Sequence, residues 1–95
     1  MENLVSIPDT PVAESAPREP APYLGQRFGA AVRRLREGRG WTQEQLAERS
    51  GLNRSYMGEV ERAIAMPSLA TAAKLAQALG LPLAQLIGQC EGAPA

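Results

Sequence analysis

Ten residues in the middle of the chain, NRSYMGEVER from Asn53 to Arg62, concentrate groups able to read a polar surface. At about 100° per residue of helix, Tyr56, Met57, Val60 and Glu61 fall on one side. Arg54, Ser55, Gly58, Glu59 and Arg62 fall on the other. Arg54 can donate two hydrogen bonds to one planar edge such as guanine, Ser55 can donate or accept, and Glu59 can accept from the cytosine amino group. Gly58 leaves room for a close backbone approach. Upstream, Gln43 and Gln45 sit in the first turn of a preceding helix, and Asn53 opens this one. Helix N-termini present unpaired N–H groups and a positive dipole end, which suit phosphate oxygens.

Other chemistries are poorly served. The chain has no histidine, so a His-containing zinc site and a His general base are excluded. The single cysteine, Cys90, permits no intramolecular disulfide and reads as an incidental thiol in a loose tail, as fits a reducing cytosol. Glu44 and Glu48, four apart, read as a solvated helix face. With no nucleophile motif, neither an enzyme nor a cofactor or metal site is expected. No apolar run approaches the roughly 20 residues of a membrane span, and the N-terminus lacks a signal-peptide pattern.

The elements that must position the polar face are helical. Ala, Leu, Glu, Gln and Arg dominate, while strand-favouring residues are scarce, so the fold class is all-α. Residues 1–22 hold five prolines and predict a disordered, acidic arm. A folded part is expected over 23–88 and a flexible tail over 89–95. A first helix is predicted from about Leu24 to Glu37 on the stripe Leu24, Phe28, Ala31, Val32 and Leu35. Thr42 with Gln45 makes a capping box for a second helix that stops at Gly51, and Trp41 is expected to pack over its start. Asn53 caps a third over about Arg54 to Arg62. Pro67 and Ser68 start a fourth, Leu69 to Leu79, and a short fifth follows from about Pro82 to Ile87. From Gly88 onward the chain reads as frayed.

Charge follows the same division. The net charge is zero. Four acidic residues against Arg18 make the arm −3, whereas nine Lys or Arg against five Glu make residues 23–88 +4. A basic body of this kind is compatible with a polyanionic partner.

The segment TQEQLAERSGLNRSYMGEVER resembles the core of the lambda-repressor/Cro-like helix-turn-helix family, also called the xenobiotic-response-element family. The flanking FGAAVRRLREGRGW and PSLATAAKLAQALGLPLAQLIG resemble its other helices, so the likeness covers about 65 of the 95 residues. It implies a compact five-helix DNA-binding domain. It implies that Gln43 clamps a phosphate, that Arg54, Ser55 and Glu59 face base edges with Asn53 beside them, and that Arg36 pairs with Glu61 as structural support. Arg62 would add electrostatic attraction. The other first-helix arginines are read either as a solvated face or as DNA contacts. The sequence departs from the pattern after the third helix. Where the family has a glycine and then basic or polar residues, this chain has Ala63, Ile64, Ala65 and Met66.

The expected function is a sequence-specific transcriptional regulator, a repressor or controller. It would act as a homodimer on a pseudo-palindromic double-stranded operator, in the cytoplasm at the nucleoid. Leu83, Leu86 and Ile87 are the candidate dimer residues. The alternative is an antitoxin-like or adaptor module that grips a protein partner through the N-terminal arm or the 63–66 loop.

Overall fold

The computed structural model describes residues 23–91. The arm expected over 1–22 and residues 92–95 of the expected tail lie outside the described residues. Five helices, and no strand among the described residues, make the fold: α1 Leu24–Gly38, α2 Gln43–Ser50, α3 Arg54–Glu61, α4 Leu69–Leu79 and α5 Leu83–Glu91. None is long and apolar enough to cross a membrane.

Local chemistry sets the helix starts. The Thr42 hydroxyl accepts from the Gln45 amide at 3.1 Å, while the Gln45 side chain accepts from the Thr42 amide at 2.8 Å. Asn53 Oδ1 accepts from Tyr56 N at 2.7 Å, and Ser68 Oγ accepts from Thr71 N at 3.1 Å. Each cap satisfies an N–H group that a helix cannot satisfy internally.

One hydrogen-bond pattern ends α1 to α4. After α2, Leu52 N donates to Ala47 O and Gly51 N to Glu48 O. The same two bonds recur at Gly40 with Trp41, Gly80 with Leu81, and Ala63 with Ile64. The pattern requires a left-handed residue at its turn. Gly40, Gly51 and Gly80 supply it at φ 74°, 76° and 81°, but Ala63 adopts φ 63° with a β-carbon present. The apolar residue that follows is half-buried in three of the turns (Trp41, Leu52 and Leu81); in the fourth, Ile64 is exposed.

Phe28, Ala31, Val32, Leu46, Ala47, Met57, Val60, Leu75, Leu79 and Leu86 are buried in one core. α1 rests on α3, α4 and α5, while α2 lies against α3 and α4. The fifth helix corrects the expected boundaries. It runs through Gln89 and Cys90 to Glu91, so the start of the expected flexible tail is helical. Leu86 and Cys90, one turn apart, both face the core, which continues the apolar stripe past Gly88. Arg27 Nη1 donates to the Cys90 carbonyl at 3.1 Å, and Arg34 Nη2 donates to Gln89 Oε1 at 2.8 Å. Cys90 is therefore a core residue, and burial pushes its thiol pKa up. Leu86, a candidate dimer residue, is fully buried and offers no surface; Leu83 and Ile87 are half-buried against the core.

Candidate nucleic-acid interface

α2 and α3 form the helix-turn-helix pair, joined through Gly51, Leu52 and Asn53. Met57 and Val60 anchor α3 in the core. Asn53, Arg54 and Ser55 stand exposed at its start, Arg62 is exposed just past its end, and Glu59 is half-buried. The polar residues thus share the outer side of one short helix whose inner side is fixed.

An ion-pair network holds that helix in place. Arg36 Nε donates to Glu61 Oε2 at 2.7 Å and Nη2 to Oε1 at 3.1 Å, a bidentate pair between α1 and α3. Arg36 Nη1 also donates to the Trp41 carbonyl at 2.6 Å. The side chains are only 10 % and 3 % exposed, so each charge needs the other. Hydrogen bonding to Glu61 raises the Arg36 pKa above its ordinary value against the opposing effect of burial, with the charges of Glu61 and Glu37 assisting.

Gln43 joins the same network: its Nε2 donates to Glu61 Oε1 at 3.0 Å. The three-way contact ties the start of α2 to α1 and to the end of α3. An amide carries two N–H groups and an acceptor oxygen, so this bond leaves Gln43 further capacity. The capping box takes the Gln45 amide, while the backbone N–H groups of Gln43 and Glu44 lie at the positive end of α2.

One glycine behaves unlike its reading in the sequence, and a second matters without having been read. Gly58 is buried, not open to an approaching backbone. A β-carbon there would lie 2.9 Å from Arg62 Nη1 and 3.7 Å from Gln43 Oε1, so those two side chains close over it. Gly29 was not singled out at all. It brings α1 directly against the carbonyls of Val60 and Glu61 at the end of α3, leaving no room for a β-carbon. The signal available in the sequence is a glycine in the interior of a strong helical stripe, which marks a close approach.

Beside this seam runs a groove of about 320 Å³ lined by Gln26, Arg33, Arg34, Glu37, Arg62 and Ala63 among others. Arg33 pairs with Glu37 at 3.0 Å on its exposed rim. The Arg49 guanidinium of α2 lies 4.2 Å from the centre of the Trp41 ring. No cluster of three or more His, Cys, Asp or Glu able to hold a metal ion occurs among the described residues.

Comparison with known proteins places the fold in a family. The helix-turn-helix family HTH_3 matches residues 32–86. Over 61 residues the chain is 39 % identical to the immunity repressor protein of Bacillus phage phi105, covering 64 % of this chain but only 42 % of the repressor. The restriction-modification controller protein C.AhdI from Aeromonas hydrophila superposes with a TM-score of 0.63 at 45 % identity, covering 65 % of this chain and 94 % of the controller. The clp gene regulator ClgR from Corynebacterium glutamicum superposes with a TM-score of 0.70 at 33 % identity, covering 79 % and 97 % respectively.

Proposed function

The chain belongs to the lambda-repressor/Cro-like helix-turn-helix family, and on that premise we propose that it is a sequence-specific double-stranded DNA-binding transcriptional regulator, a repressor or controller. The observation that carries this reading is the exposed Asn53–Arg54–Ser55 face at the start of a helix whose opposite side is locked into the core. A helix of this size fits the major groove. Arg54 meets a guanine edge, and Ser55 reads a neighbouring acceptor or donor. Glu59 accepts from a cytosine amino group. Gln43 and the amides at the start of α2 hold a phosphate, while Arg62 adds attraction beyond the end of α3. The protein acts as a homodimer on a pseudo-palindrome with half-sites about one helical turn apart, in the cytoplasm at the nucleoid. The names of the phage repressor, the restriction-modification controller and the clp gene regulator support the regulatory role.

Enrichment of random duplex fragments by the purified chain at near-physiological salt tests the reading. Recovery of a palindromic motif is expected. No enrichment, together with no salt-sensitive binding to bulk duplex, would overturn it. The antitoxin-like or adaptor reading would then take its place, favoured by the exposed Ile64 and Met66 in the loop after α3.

A further inference from the structure

Among the described residues four large apolar side chains are exposed: Tyr23 at 69 %, Ile64 at 67 %, Met66 at 52 % and Leu69 at 73 %. Scattered singly they would need no explanation, but Ile64, Met66 and Leu69 lie within six residues of one another and Met66 lies by the start of α1. Met66 Sδ lies 3.7 Å from where a β-carbon on Gly25 would stand, which puts the loop after α3 against the start of α1, two residues from Tyr23. Ile64, Met66 and Leu69 follow one another along that loop into α4. Ile64 stays exposed in a turn whose three counterparts tuck the equivalent side chain away. The strip also adjoins the basic groove, since Gln26 and Ala63 line the groove and neighbour Gly25 and Ile64.

The groove sets Arg33, Arg34 and Arg62 against Glu37 and Glu61, and Arg36 already takes Glu61, so an apolar and acidic occupant suits strip and groove together. The segment 1–22 has both properties and is already attached at Tyr23. It carries Leu4, Val5, Ile7 and Val12 for the strip. It carries Glu14 and Glu19 near the attachment for Arg33, Arg34 and Arg62. Fully extended, 22 residues reach about 70 Å, more than enough to fold back. Tethering replaces a bimolecular encounter with an effective concentration on the order of mM.

We propose that the chain's own acidic segment 1–22 docks on the Tyr23–Ile64–Met66–Leu69 strip and the adjoining arginine groove. If Arg62 faces DNA, as proposed above, the docked segment competes with the phosphate backbone and lowers affinity for duplex. That consequence alone rests on the DNA-binding reading.

The test uses the full chain with Ser15→Cys carrying a nitroxide label; Cys90, 1 % exposed, stays unlabelled. Amide resonances of Gly25, Gln26, Ala63 to Met66, Ser68 and Leu69 are expected to lose most of their intensity, while Glu44 and Glu48 keep theirs. Ile64→Ser with Met66→Ser, both at exposed positions, is expected to restore the lost signals in an otherwise unchanged spectrum and to raise duplex affinity several-fold. Absence of selective broadening would overturn the proposal. So would broadening that transfers to an unlabelled chain mixed with a labelled one, because the occupant would then be a second copy. Random-sequence duplex is expected to restore the signals. Broadening that persists with duplex bound would support docking and overturn competition alone. If duplex does not bind, the DNA-binding reading fails while docking is still read directly.

Discussion

A single methyl group added at Gly29 tests the packing on which the candidate interface depends. A β-carbon there would lie 2.7 Å from the Glu61 carbonyl oxygen and closer still to that of Val60, whereas ordinary contact begins at 3.4 Å. The obstructing atoms are backbone and cannot rotate aside. Relieving the Glu61 contact alone requires α1 and α3 to separate by 0.7 Å, the difference between 3.4 and 2.7 Å, and the Val60 contact requires more. A gap of 0.5–1 Å forfeits roughly a quarter to a half of each dispersion contact across it. Overpacking of this kind costs about 3 kcal/mol, less the roughly 1 kcal/mol by which a helix interior prefers Ala to Gly. The net loss for Gly29→Ala is about 2 kcal/mol, a large share of a small domain's stability. Urea unfolding of the full chain, followed by circular dichroism, reads it as a midpoint lowered by about 2 M if m is about 1 kcal/mol/M. Gly88→Ala is the control. It also sits inside a helix, but with nothing within 4 Å, so a gain of about 0.5–1 kcal/mol is expected. A Gly29→Ala protein as stable as the parent would refute the close approach of α1 to α3.

Other expectations follow from the same geometry. Ala63→Gly relieves a left-handed alanine worth about 1–2 kcal/mol, partly offset by the greater freedom of glycine when unfolded; a net gain of about 0.5–1 kcal/mol should appear as a Tm higher by a few degrees. Glu61→Ala strands the Arg36 guanidinium and is expected to cost about 3 kcal/mol in urea unfolding, whereas Arg36→Met with Glu61→Met lies nearer the parent than either single change. The Cys90 thiol is held neutral by burial, so above its ordinary value of 9.0 the unfolded chain gives up its proton first and stability falls as pH rises. Cys90→Ala is expected to flatten that slope in unfolding series from pH 7 to 10.5, at lower stability throughout. Arg54→Ala is expected to cost about 1–3 kcal/mol on a selected duplex and relax preference at one base pair, while Gln43→Ala weakens all sequences evenly; binding titrations that show Arg54→Ala unchanged in both respects would remove it from the recognition face.

The parts of the fold that local chemistry dictates were legible in the sequence. Thr42 with Gln45, Asn53 and Ser68 announce helix starts, and Gly40, Gly51 and Gly80 announce ends, because caps and left-handed turns act within four or five residues. The composition of the polar face on α3 was legible for the same reason: helical periodicity sorts Arg54, Ser55 and Glu59 from Met57 and Val60. Most of what could not be read was set by elements distant in sequence. Gly29 looks like a weak point in a helix until α3 is laid across it. Gly58 looks open until Gln43 and Arg62 fold over it. Gly88 imitates a stop signal, and only the docking of Cys90 beneath α1 keeps the helix going. Ala63 hides a glycine-type turn because its hydrogen bonds, not its residue type, reveal the conformation.

The pairing of the first helix with the last bears on how the protein is made. At about 5–20 residues per second of synthesis, α1 leaves the ribosome several seconds before α5 is complete. During that interval the side of α1 that α5 will cover stays open, and Arg27 and Arg34 have yet to meet Cys90 and Gln89. The helix-turn-helix pair, although finished earlier, hangs on an α1 that is not yet held from behind. Assembly is therefore completed from the C-terminal side, and a chain that ends before Cys90 lacks the clasp that closes the ring of helices.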